Sequence, residues 1–416
     1  MTMRKLGTVA IAALGAVAML PAQSGLEGWV TTWTSAQQLI APSGPPRPAR
    51  QKGPEASNLP ASLADQTVRM VAHVSVGGRR VRVELSNMLN AQPLEIGAAH
   101  LATAKSGGEI VDGTDRVVKF GGSESFTIPP GAIAVSDPVD LEVAPLSDLA
   151  VSLYLPHDTG APANHTVGLH TAYISKGNVV GSRSMPEPAT MFAYAWLAGI
   201  DVAAPRDAYT VVALGDSITD GFATTRDANM AWPTLLAKRL KENKATQHVA
   251  VVNQGISGNQ VLRDGAGISA LARLDRDVLT RPGVKWVILL EGINDINIRT
   301  RPNGPNQLTA EELIGGYKQI IERCHAQGMR VMGATLTPAE GVPTYSEHGE
   351  EIRVAANRWI RAKGNFDAVV DLDAILRDAQ HPARLKAEAD SGDHIHPNDA
   401  GNQTMADAFD LGVFQK

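Results

Sequence analysis

The sequence predicts two regions of different fold class: an antiparallel β-sandwich over residues 25–200, and an α/β region with a parallel sheet over residues 201–416. Three observations lead to this prediction. In the first half, apolar and polar residues alternate with a period of two, and Gly and Pro turns separate the segments. From about residue 208, short apolar runs alternate instead with helical patterns. Strands that alternate with helices in this way predict three layers around a parallel sheet.

The period-two pattern is clearest between residues 68 and 85. Apolar residues recur at every second position from Val68 to Val76 and again from Val81 to Leu85, and Gly77 and Gly78 lie between the two segments. This arrangement predicts a β-hairpin whose turn uses the ability of glycine to adopt positive φ. Further short strands are expected at 117–120, 125–128, 139–143, 149–155 and 166–174. Many short strands with such turns are typical of a sandwich.

The second region contains five apolar runs of the length of a buried parallel strand, at residues 211–214, 249–252, 286–290, 331–334 and 368–372. The clearest helix between them is predicted over Thr309–Gln327, where Thr309 and Glu312 form a capping box and Gly328 ends the helix. Further helices are expected at about 347–363 and after Asn398. Ligands of such folds bind beyond the carboxyl ends of the strands, so polar residues there are the candidates for a functional site.

Composition excludes several classes of protein. A chain of 416 residues with 44% apolar residues is far from the composition of a disordered protein. The net charge is −5, from 38 basic and 43 acidic residues, and no long basic run predicts nucleic-acid binding. A neutral or weakly polar ligand is favoured. The single cysteine, Cys324, cannot form a disulfide within one chain, and a cysteine-based zinc site is excluded.

The first 24 residues have the pattern of a secretory signal peptide. Arg4 and Lys5 precede an uncharged run from Leu6 to Leu20, and Pro21–Ser24 supplies small residues for cleavage. A membrane-spanning helix is the alternative, but about 15 weakly apolar residues are fewer than the ~20 that cross a bilayer. We therefore expect export, to the medium or the periplasm, and no membrane association after signal removal.

Polar residues follow three of the predicted strands and precede the last helix. Ser217 leaves the first strand and enters a helix, whose N-terminus favours developing negative charge. His396 is the candidate base that would activate its hydroxyl, and Asp393 can orient the imidazole. The remaining donors are the backbone N–H groups of Ser217 and Gly258 and the side-chain amide of Asn294. Three donors around one point predict an oxyanion hole.

These segments resemble the four sequence blocks of the SGNH (GDSL-type) hydrolases and occur in the same order. They are Gly-Asp-Ser at 215–217, the glycine at 258, Gly-Ile-Asn-Asp at 292–295 and Asp-His-Ile-His at 393–396. The resemblance extends from about residue 208 to the C-terminus. It implies a flavodoxin-like catalytic domain with Ser217 as nucleophile, Gly258 and Asn294 as oxyanion donors, and Asp393 with His396 completing the triad.

The same resemblance implies the chemistry, a cofactor-independent hydrolysis of carboxylic esters through an acyl-enzyme. The N-terminal part, beginning with Trp29–Gln37, is similar to the sandwich domain of a secreted two-domain subfamily related to rumen arylesterase and xylan-esterase proteins. We therefore expect an accessory sandwich over residues 25–200, and a small-molecule or polysaccharide ester as substrate. Removal of short, acetyl-like acyl groups from carbohydrate is the first expectation.

Several alternatives remain open at this level. Lipolytic or aryl-ester hydrolysis is the alternative among enzymes, and an inactive carbohydrate-binding protein is the alternative of another class. An α/β-hydrolase is disfavoured because Thr219 occupies the second glycine position of Gly-x-Ser-x-Gly. His394 and His396 form a His-x-His pair, a pattern that also occurs in metal sites, but no obvious cluster of further ligands accompanies them, so no catalytic metal is expected. Taken alone, Gly215–Ser217 could be simply a helix cap.

Overall fold

The computed structural model describes residues 27–38, 58–304 and 307–415. The predicted signal peptide lies outside the described residues, and so does the proline-rich stretch at 41–54. Within the described residues, no helix is long and apolar enough to cross a membrane.

The described residues of the first region form fifteen short strands. They are β1 (Glu27–Thr34), β2 (Gln66–Val74), β3 (Gly78–Ser86), β4 (Leu94–Ile96), β5 (Ala98–Thr103), β6 (Arg116–Val118), β7 (Phe126–Ile128), β8 (Ile133–Val135), β9 (Val139–Val143), β10 (Ser147–Leu155), β11 (Asn164–His165), β12 (Ala172–Lys176), β13 (Ala189–Met191), β14 (Tyr194–Ala195) and β15 (Leu197–Pro205). A single 3₁₀ turn, Ser106–Gly108, interrupts them.

These strands form two larger antiparallel sheets. One has the order β1-β15-β3-β8, with β9 also pairing with β3, and the other has the order β13-β12-β2-β10-β5-β6. Two small ladders, β11-β14 and β4-β7, complete the region. Side chains from both larger sheets share one apolar core, to which Val83 and Ile200 contribute from the first sheet and Met70 and Leu153 from the second. This arrangement is consistent with the predicted antiparallel sandwich.

The hairpin predicted around Gly77 and Gly78 is wrong. β2 pairs with β10 and β12, whereas β3 pairs with β15, β8 and β9, so the two strands lie in different sheets. Neither glycine has positive φ. A Cβ atom on Gly77 would lie 2.1 Å from the carbonyl oxygen of Val143, and one on Gly78 would lie 2.4 Å from that of Ala203. The two glycines therefore allow close packing where the chain passes from one sheet to the other.

The second region has the predicted five-stranded parallel sheet. Its strands are β16 (Tyr209–Gly215), β17 (Val249–Gly255), β18 (Val284–Leu290), β19 (Arg330–Ala334) and β20 (Ala368–Val370). They pair in the order β17-β16-β18-β19-β20, so the order reverses beside the first strand. Such a reversal opens a crevice at the carboxyl ends of the neighbouring strands, which is where doubly wound folds bind ligands. The α/β class predicted for this region is confirmed.

In the part of this region that the structure describes, eight α-helices accompany the sheet. They are α1 (Ser217–Asp220), α2 (Trp232–Glu242), α3 (Ala270–Leu274), α4 (Ile293–Arg299), α5 (Ala310–Ala326), α6 (Glu347–Arg361), α7 (Leu372–Leu376) and α8 (Asp399–Asp407). A π-helical turn, Asp275–Leu279, continues α3, and a 3₁₀ turn, Leu411–Gln415, closes the described chain. The capping box of α5 is present as predicted: the N–H of Glu312 donates to Thr309 Oγ1 at 3.2 Å, and the N–H of Thr309 donates to Glu312 Oε2 at 3.0 Å.

Strand β1 connects the two regions. It pairs with β15 and also packs against β17 of the parallel sheet. The Thr34 hydroxyl donates to the Asn253 carbonyl at 2.8 Å, and the Thr210 hydroxyl donates to the Thr31 carbonyl at 2.8 Å. Strand β15 runs to Pro205 and so continues across the predicted boundary at residues 200 and 201, which remains a prediction.

Candidate active site

The turn between β16 and α1 presents Ser217. Gly215 is the last residue of β16, and a Cβ atom there would lie 2.2 Å from Thr219 Oγ1 and 2.4 Å from the carbonyl oxygen of Leu290, so the tight turn requires glycine. The Asp216 carboxylate caps the helix by accepting the N–H of Ile218 at 2.9 Å. The interpretation of Gly215–Ser217 as a helix cap is therefore correct for Asp216. Ser217 is the first residue of α1.

Ser217 is in contact with a histidine and, through it, with an aspartate. His396 Nε2 lies 2.7 Å from Ser217 Oγ, and His396 Nδ1 lies 2.5 Å from Asp393 Oδ2. The other carboxylate oxygen of Asp393 accepts the N–H groups of Ile395 and His396 at 3.1 and 2.9 Å. The three side chains that the sequence singled out are thus brought together, although 176 residues separate Ser217 from Asp393 in the chain.

Asp393 determines which ring nitrogen of a neutral His396 imidazole carries the proton. Burial of Asp393 opposes its ionisation, but the hydrogen bonds and the charge of His396 outweigh burial and lower the pKa of the Asp393 carboxyl below its ordinary range. An ionised carboxylate accepts the Nδ1 proton, which leaves the Nε2 lone pair facing the Ser217 hydroxyl. Phe222 packs against the His396 ring, with the ring centroids 4.6 Å apart.

The loop after β17 and the start of α4 carry two of the predicted oxyanion donors, Gly258 and Asn294. Gly258 has a φ of +82°, a conformation that glycine adopts without strain. The side-chain amide of Asn294 donates to the carbonyl of Asn259 at 3.0 Å, which ties α4 to this loop and leaves the second amide N–H for another acceptor. Asp295 anchors the same loop, because its carboxylate accepts the N–H groups of Val261 and Leu262 at 2.7 and 3.0 Å.

Two buried carboxyls near the nucleophile have raised pKa values. Burial raises the pKa of Asp216 to about 7, against the hydrogen bond from Ile218, and the nearby Asp295 and Asp220 carboxylates raise it further. Burial also raises the pKa of Asp295 to about 6, even though backbone N–H groups donate to it. Neither carboxyl contacts His396, so neither replaces Asp393 as the hydrogen-bond partner of the imidazole.

The remaining sequence candidates lie outside this group. His394 is half exposed, has a φ of +71°, and its Nδ1 contacts Asp390 Oδ2 at 2.8 Å. In the described part of the chain, no group of three or more His, Cys, Asp or Glu side chains could hold a metal ion. Cys324 is buried in the apolar core of the parallel-sheet region, and burial raises the pKa of its thiol to about 12.

A small cavity lies between the two regions, away from Ser217. It has a volume of about 50 Å³ and is lined by residues of both regions, among them His165, His170, Asn229 and Asn253. Such a volume holds a few water molecules. The residues that line it include none of Ser217, Asp393 and His396, so the cavity is separate from the candidate active site.

Sequence reasoning missed a series of polar contacts that connects Ser257, Asp220 and His165. Asp220, the last residue of α1, accepts both the N–H and the hydroxyl of Ser257 through Oδ2, at 2.9 and 2.7 Å. Its other oxygen lies 2.9 Å from Nε2 of His165, which belongs to the antiparallel region. The only local signal was the position of Asp220, three residues after Ser217. His165 lies in no recognisable catalytic motif.

Comparison with known proteins places the second region in a family. Residues 213–404 match the model of the GDSL-like Lipase/Acylhydrolase family, and all four sequence blocks lie within the match. No curated protein sequence matches the chain.

Solved structures are similar to about half of this chain. A putative lipolytic protein of the G-D-S-L family from Desulfitobacterium hafniense is 21% identical, with a TM-score of 0.36, over 48% of this chain and 96% of the other. A putative acylhydrolase from Bacteroides fragilis is 18% identical, with a TM-score of 0.38, over 51% and 91% of the two chains. An acetylxylan esterase from Geobacillus stearothermophilus is 22% identical, with a TM-score of 0.36, over 49% and 95%. Structural similarity at this level does not support an argument about this chain. The match of residues 213–404 to the family model by itself makes this region a member of the GDSL-like lipase/acylhydrolase family.

Proposed function

We propose that this protein is a secreted serine esterase that hydrolyses carboxylic esters through an acyl-enzyme. The family of residues 213–404 indicates an ester hydrolase. The observation that carries the finer proposal is the contact chain from Ser217 Oγ to His396 Nε2, at 2.7 Å, and from His396 Nδ1 to Asp393, at 2.5 Å. A serine hydroxyl needs an adjacent base to act as a nucleophile, and this geometry supplies one.

In the proposed reaction, Ser217 Oγ attacks the ester carbonyl while His396 Nε2 accepts the hydroxyl proton. The tetrahedral oxyanion is bound by the backbone N–H groups of Ser217 and Gly258 and by the second amide N–H of Asn294. His396 then gives its proton to the leaving alcohol, and Asp393 stabilises the imidazolium between these steps. Water repeats the attack on the acyl-enzyme, with His396 again as the base, and releases the acid. No step of this sequence requires a cofactor.

For the substrate, we propose a short acyl ester, acetyl-like in size, on a carbohydrate. The predicted export and the β-rich first region support this choice, since both suit an enzyme that meets a polymer outside the cell. Lipolytic or aryl-ester hydrolysis is the alternative. Rates on acetylated oligosaccharides, feruloylated oligosaccharides and acyl esters of graded chain length separate these substrate classes, and the highest kcat/KM on the acetylated oligosaccharides is the expected result.

Ser217→Ala tests the nucleophile. On a chromogenic acetate ester, we expect kcat to fall by on the order of 10⁴–10⁶ because the base then has no hydroxyl to activate. Labelling by a fluorophosphonate should disappear in the same variant. Ser136→Ala, which removes a buried hydroxyl of the antiparallel region, is the matched control and should keep both activity and labelling. Retained activity in Ser217→Ala, with the label on another serine, contradicts the assignment. A correctly folded wild-type protein that hydrolyses none of these esters favours the inactive binding protein.

A further inference from the structure

His165 is a buried histidine of the antiparallel region whose two ring nitrogens both face oxygen atoms. It lies in β11, and only 4% of its surface is exposed. Nδ1 lies 2.8 Å from the carbonyl oxygen of Ala36, and Nε2 lies 2.9 Å from Asp220 Oδ1. A carbonyl oxygen has no proton to donate, so Nδ1 must carry one.

The second nitrogen faces a carboxyl oxygen. Asp220 Oδ2 accepts both hydrogen bonds from Ser257, and Asp220 Oδ1 lies 2.9 Å from Nε2 and offers it an acceptor. With both nitrogens as donors, His165 would be an imidazolium ion. The charged and titratable groups around it are Asp220 on α1, Arg273 on α3 and Tyr194 on β14. Arg273 is itself paired with Asp277 at 3.0 Å.

The charge balance at His165 agrees with this geometry. Burial opposes protonation, and so does the charge of Arg273, but the carboxylate of Asp220 and the hydrogen bonds to Asp220 and Ala36 raise the pKa of His165 above its ordinary value. The ion pair is nearly inaccessible to water, since the side chains of His165 and Asp220 are 5% and 3% exposed.

The carboxylate that His165 contacts connects both halves of the proposed catalytic machinery. Asp220 ends the helix that begins with Ser217, and its N–H donates to the Asp216 carbonyl at 2.8 Å. The same side chain binds Ser257, the residue before Gly258. A Cβ atom on Gly255 would lie 2.3 Å from the backbone nitrogen of Asp220, so the loop packs directly on the helix end. A shift of Asp220 would therefore move the nucleophile helix relative to the oxyanion loop.

We propose that His165, as an imidazolium ion, is a positioning residue of the esterase: through Asp220 it fixes the Ser257–Gly258 loop against the helix that carries Ser217. This inference rests on the proposed function and adds to it a residue from outside the matched family region. Loss of the His165 proton turns one ring N–H into a lone pair that faces an oxygen acceptor. Repulsion then loosens the loop, so the enzyme loses rate at alkaline pH while it remains folded.

His165→Gln is the central test. A glutamine amide can donate to Asp220 or to the Ala36 carbonyl and carries no charge, so we expect kcat on the chromogenic acetate ester to fall about 10- to 100-fold, with KM nearly unchanged. The pH dependence of kcat separates a positioning role from a merely structural one, because a structural role would leave this dependence unchanged. The kcat of the wild type should decline at alkaline pH, above the ordinary imidazole value of about 6.5. That decline should be absent in His165→Gln.

His170→Gln is the matched control. His170 is a second buried histidine between the regions, but its hydrogen bond goes to Asn229 and its ion pair to Asp227, neither of which touches α1 or the oxyanion loop. We expect this variant to keep kcat and the alkaline decline. A folded His165→Gln with the kcat of the wild type, a wild type without the alkaline decline, or an equal loss in His170→Gln overturns the proposal.

Two further variants keep the result decisive. If circular dichroism shows that His165→Gln does not fold, Ser257→Ala takes its place, because it removes one hydrogen bond to Asp220 and leaves the ion pair intact. We expect kcat to fall about 3- to 10-fold with KM unchanged, and an unchanged kcat overturns the proposal.

Ser217→Ala separates a failure of the proposed function from a failure of the positioning role. Activity that survives Ser217→Ala refutes the proposed function, whereas activity that requires Ser217 but is indifferent to His165 and Ser257 refutes only the positioning role.

Discussion

Two histidine–aspartate pairs, one in the candidate active site and one between the two regions, consist of the same residue types but differ in their chemistry. His396 contacts Asp393 at 2.5 Å, and His165 contacts Asp220 at 2.9 Å. Their second ring nitrogens differ. Nε2 of His396 faces the Ser217 hydroxyl, which can donate a proton, whereas Nδ1 of His165 faces a carbonyl, which can only accept one. One imidazole is therefore suited to act as a base, and the other is held as a cation.

The comparison shows that the partner of the second nitrogen, and not the aspartate, decides what such a pair can do. A third pair, His394 with Asp390 at 2.8 Å, lies in the loop of the proposed triad but is half exposed. Proximity to the proposed triad in the sequence is thus a poor guide to role. The predictions below test this distinction.

Asp393→Asn should produce the largest difference between the pairs. The amide cannot hold the imidazole in the required protonation state, so we expect kcat to fall by up to about 10⁴-fold. Asp390→Asn is the matched control, since it changes the neighbouring pair in the same way and should leave kcat within about threefold of the wild type. Comparable losses in the two variants would show that the loop as a whole, rather than Asp393, matters.

Asn294→Ala removes the proposed oxyanion donor and leaves both pairs intact. Its amide would bind charge that appears only in the tetrahedral intermediate, so kcat should fall by ~10²–10³, about 2.7–4 kcal/mol, while KM stays nearly constant. Asn294→Asp, which keeps the size but has no N–H donor, should show a similar loss. If the only task of Asn294 is its 3.0 Å hydrogen bond to the Asn259 carbonyl, the melting temperature will fall and kcat will not.

The pH dependence of stability should have opposite signs for the two pairs. The pKa of Asp393 is lowered on folding, so its contribution is present above the ordinary carboxyl pKa of about 4 and is lost as the pH falls below that value. The pKa of His165 is raised, so its contribution is complete below about pH 6.5 and is lost as the pH rises through the folded-state value.

Thermal melting between pH 4 and pH 9 measures the contribution of His165. We expect the wild-type melting temperature to decrease from about pH 6.5 upward by a few degrees, on a scale of about 2–4 °C per kcal/mol. His165→Gln should reduce this decrease without abolishing it, since the pKa of His170 is raised as well. A decrease that is identical in wild type and variant would contradict the imidazolium state of His165.

The smallest effect is expected from chelation. Neither pair belongs to a group of three or more potential ligands within the residues that the structure describes, and His394 has Asp390 as its partner. EDTA should therefore leave kcat unchanged. Loss of activity on chelation, restored by added Zn²⁺, would assign a metal to His394 and His396 and would remove the basis of the comparison.

Local signals in the sequence were sufficient for much of the second region. The helix that begins after Thr309 was predicted because its capping box and apolar face depend on residues three and four positions apart. Ser217, Gly258 and Asn294 were proposed because they follow strand ends, and parallel strands bring their carboxyl ends to one edge. Asp393 and His396 were proposed from their position before the last helix. The geometry of Ser217, Asp393 and His396 agrees with that reasoning.

Pairing between distant segments was not visible in the sequence. Alternation around Gly77 and Gly78 located two strands correctly, but the partners of β2 are β10 and β12, which no local pattern selects. His165 was missed for the same reason. Its partners, the Ala36 carbonyl and Asp220, are 129 and 55 residues away, and an isolated histidine carries no spacing that would reveal them.

Strand β1 has a consequence for how the chain acquires its structure. Its ladder partner, β15, lies some 170 positions later, and its contacts with β17 require residues beyond 249. Among the described residues, this strand therefore has no ladder partner until about half of the chain has been synthesised. Contacts of such long sequence separation slow folding, because the entropy of closing a large loop must be overcome before they form. We expect the antiparallel sheet of β1 to assemble late, with the interface that holds His165 against Asp220 completed last.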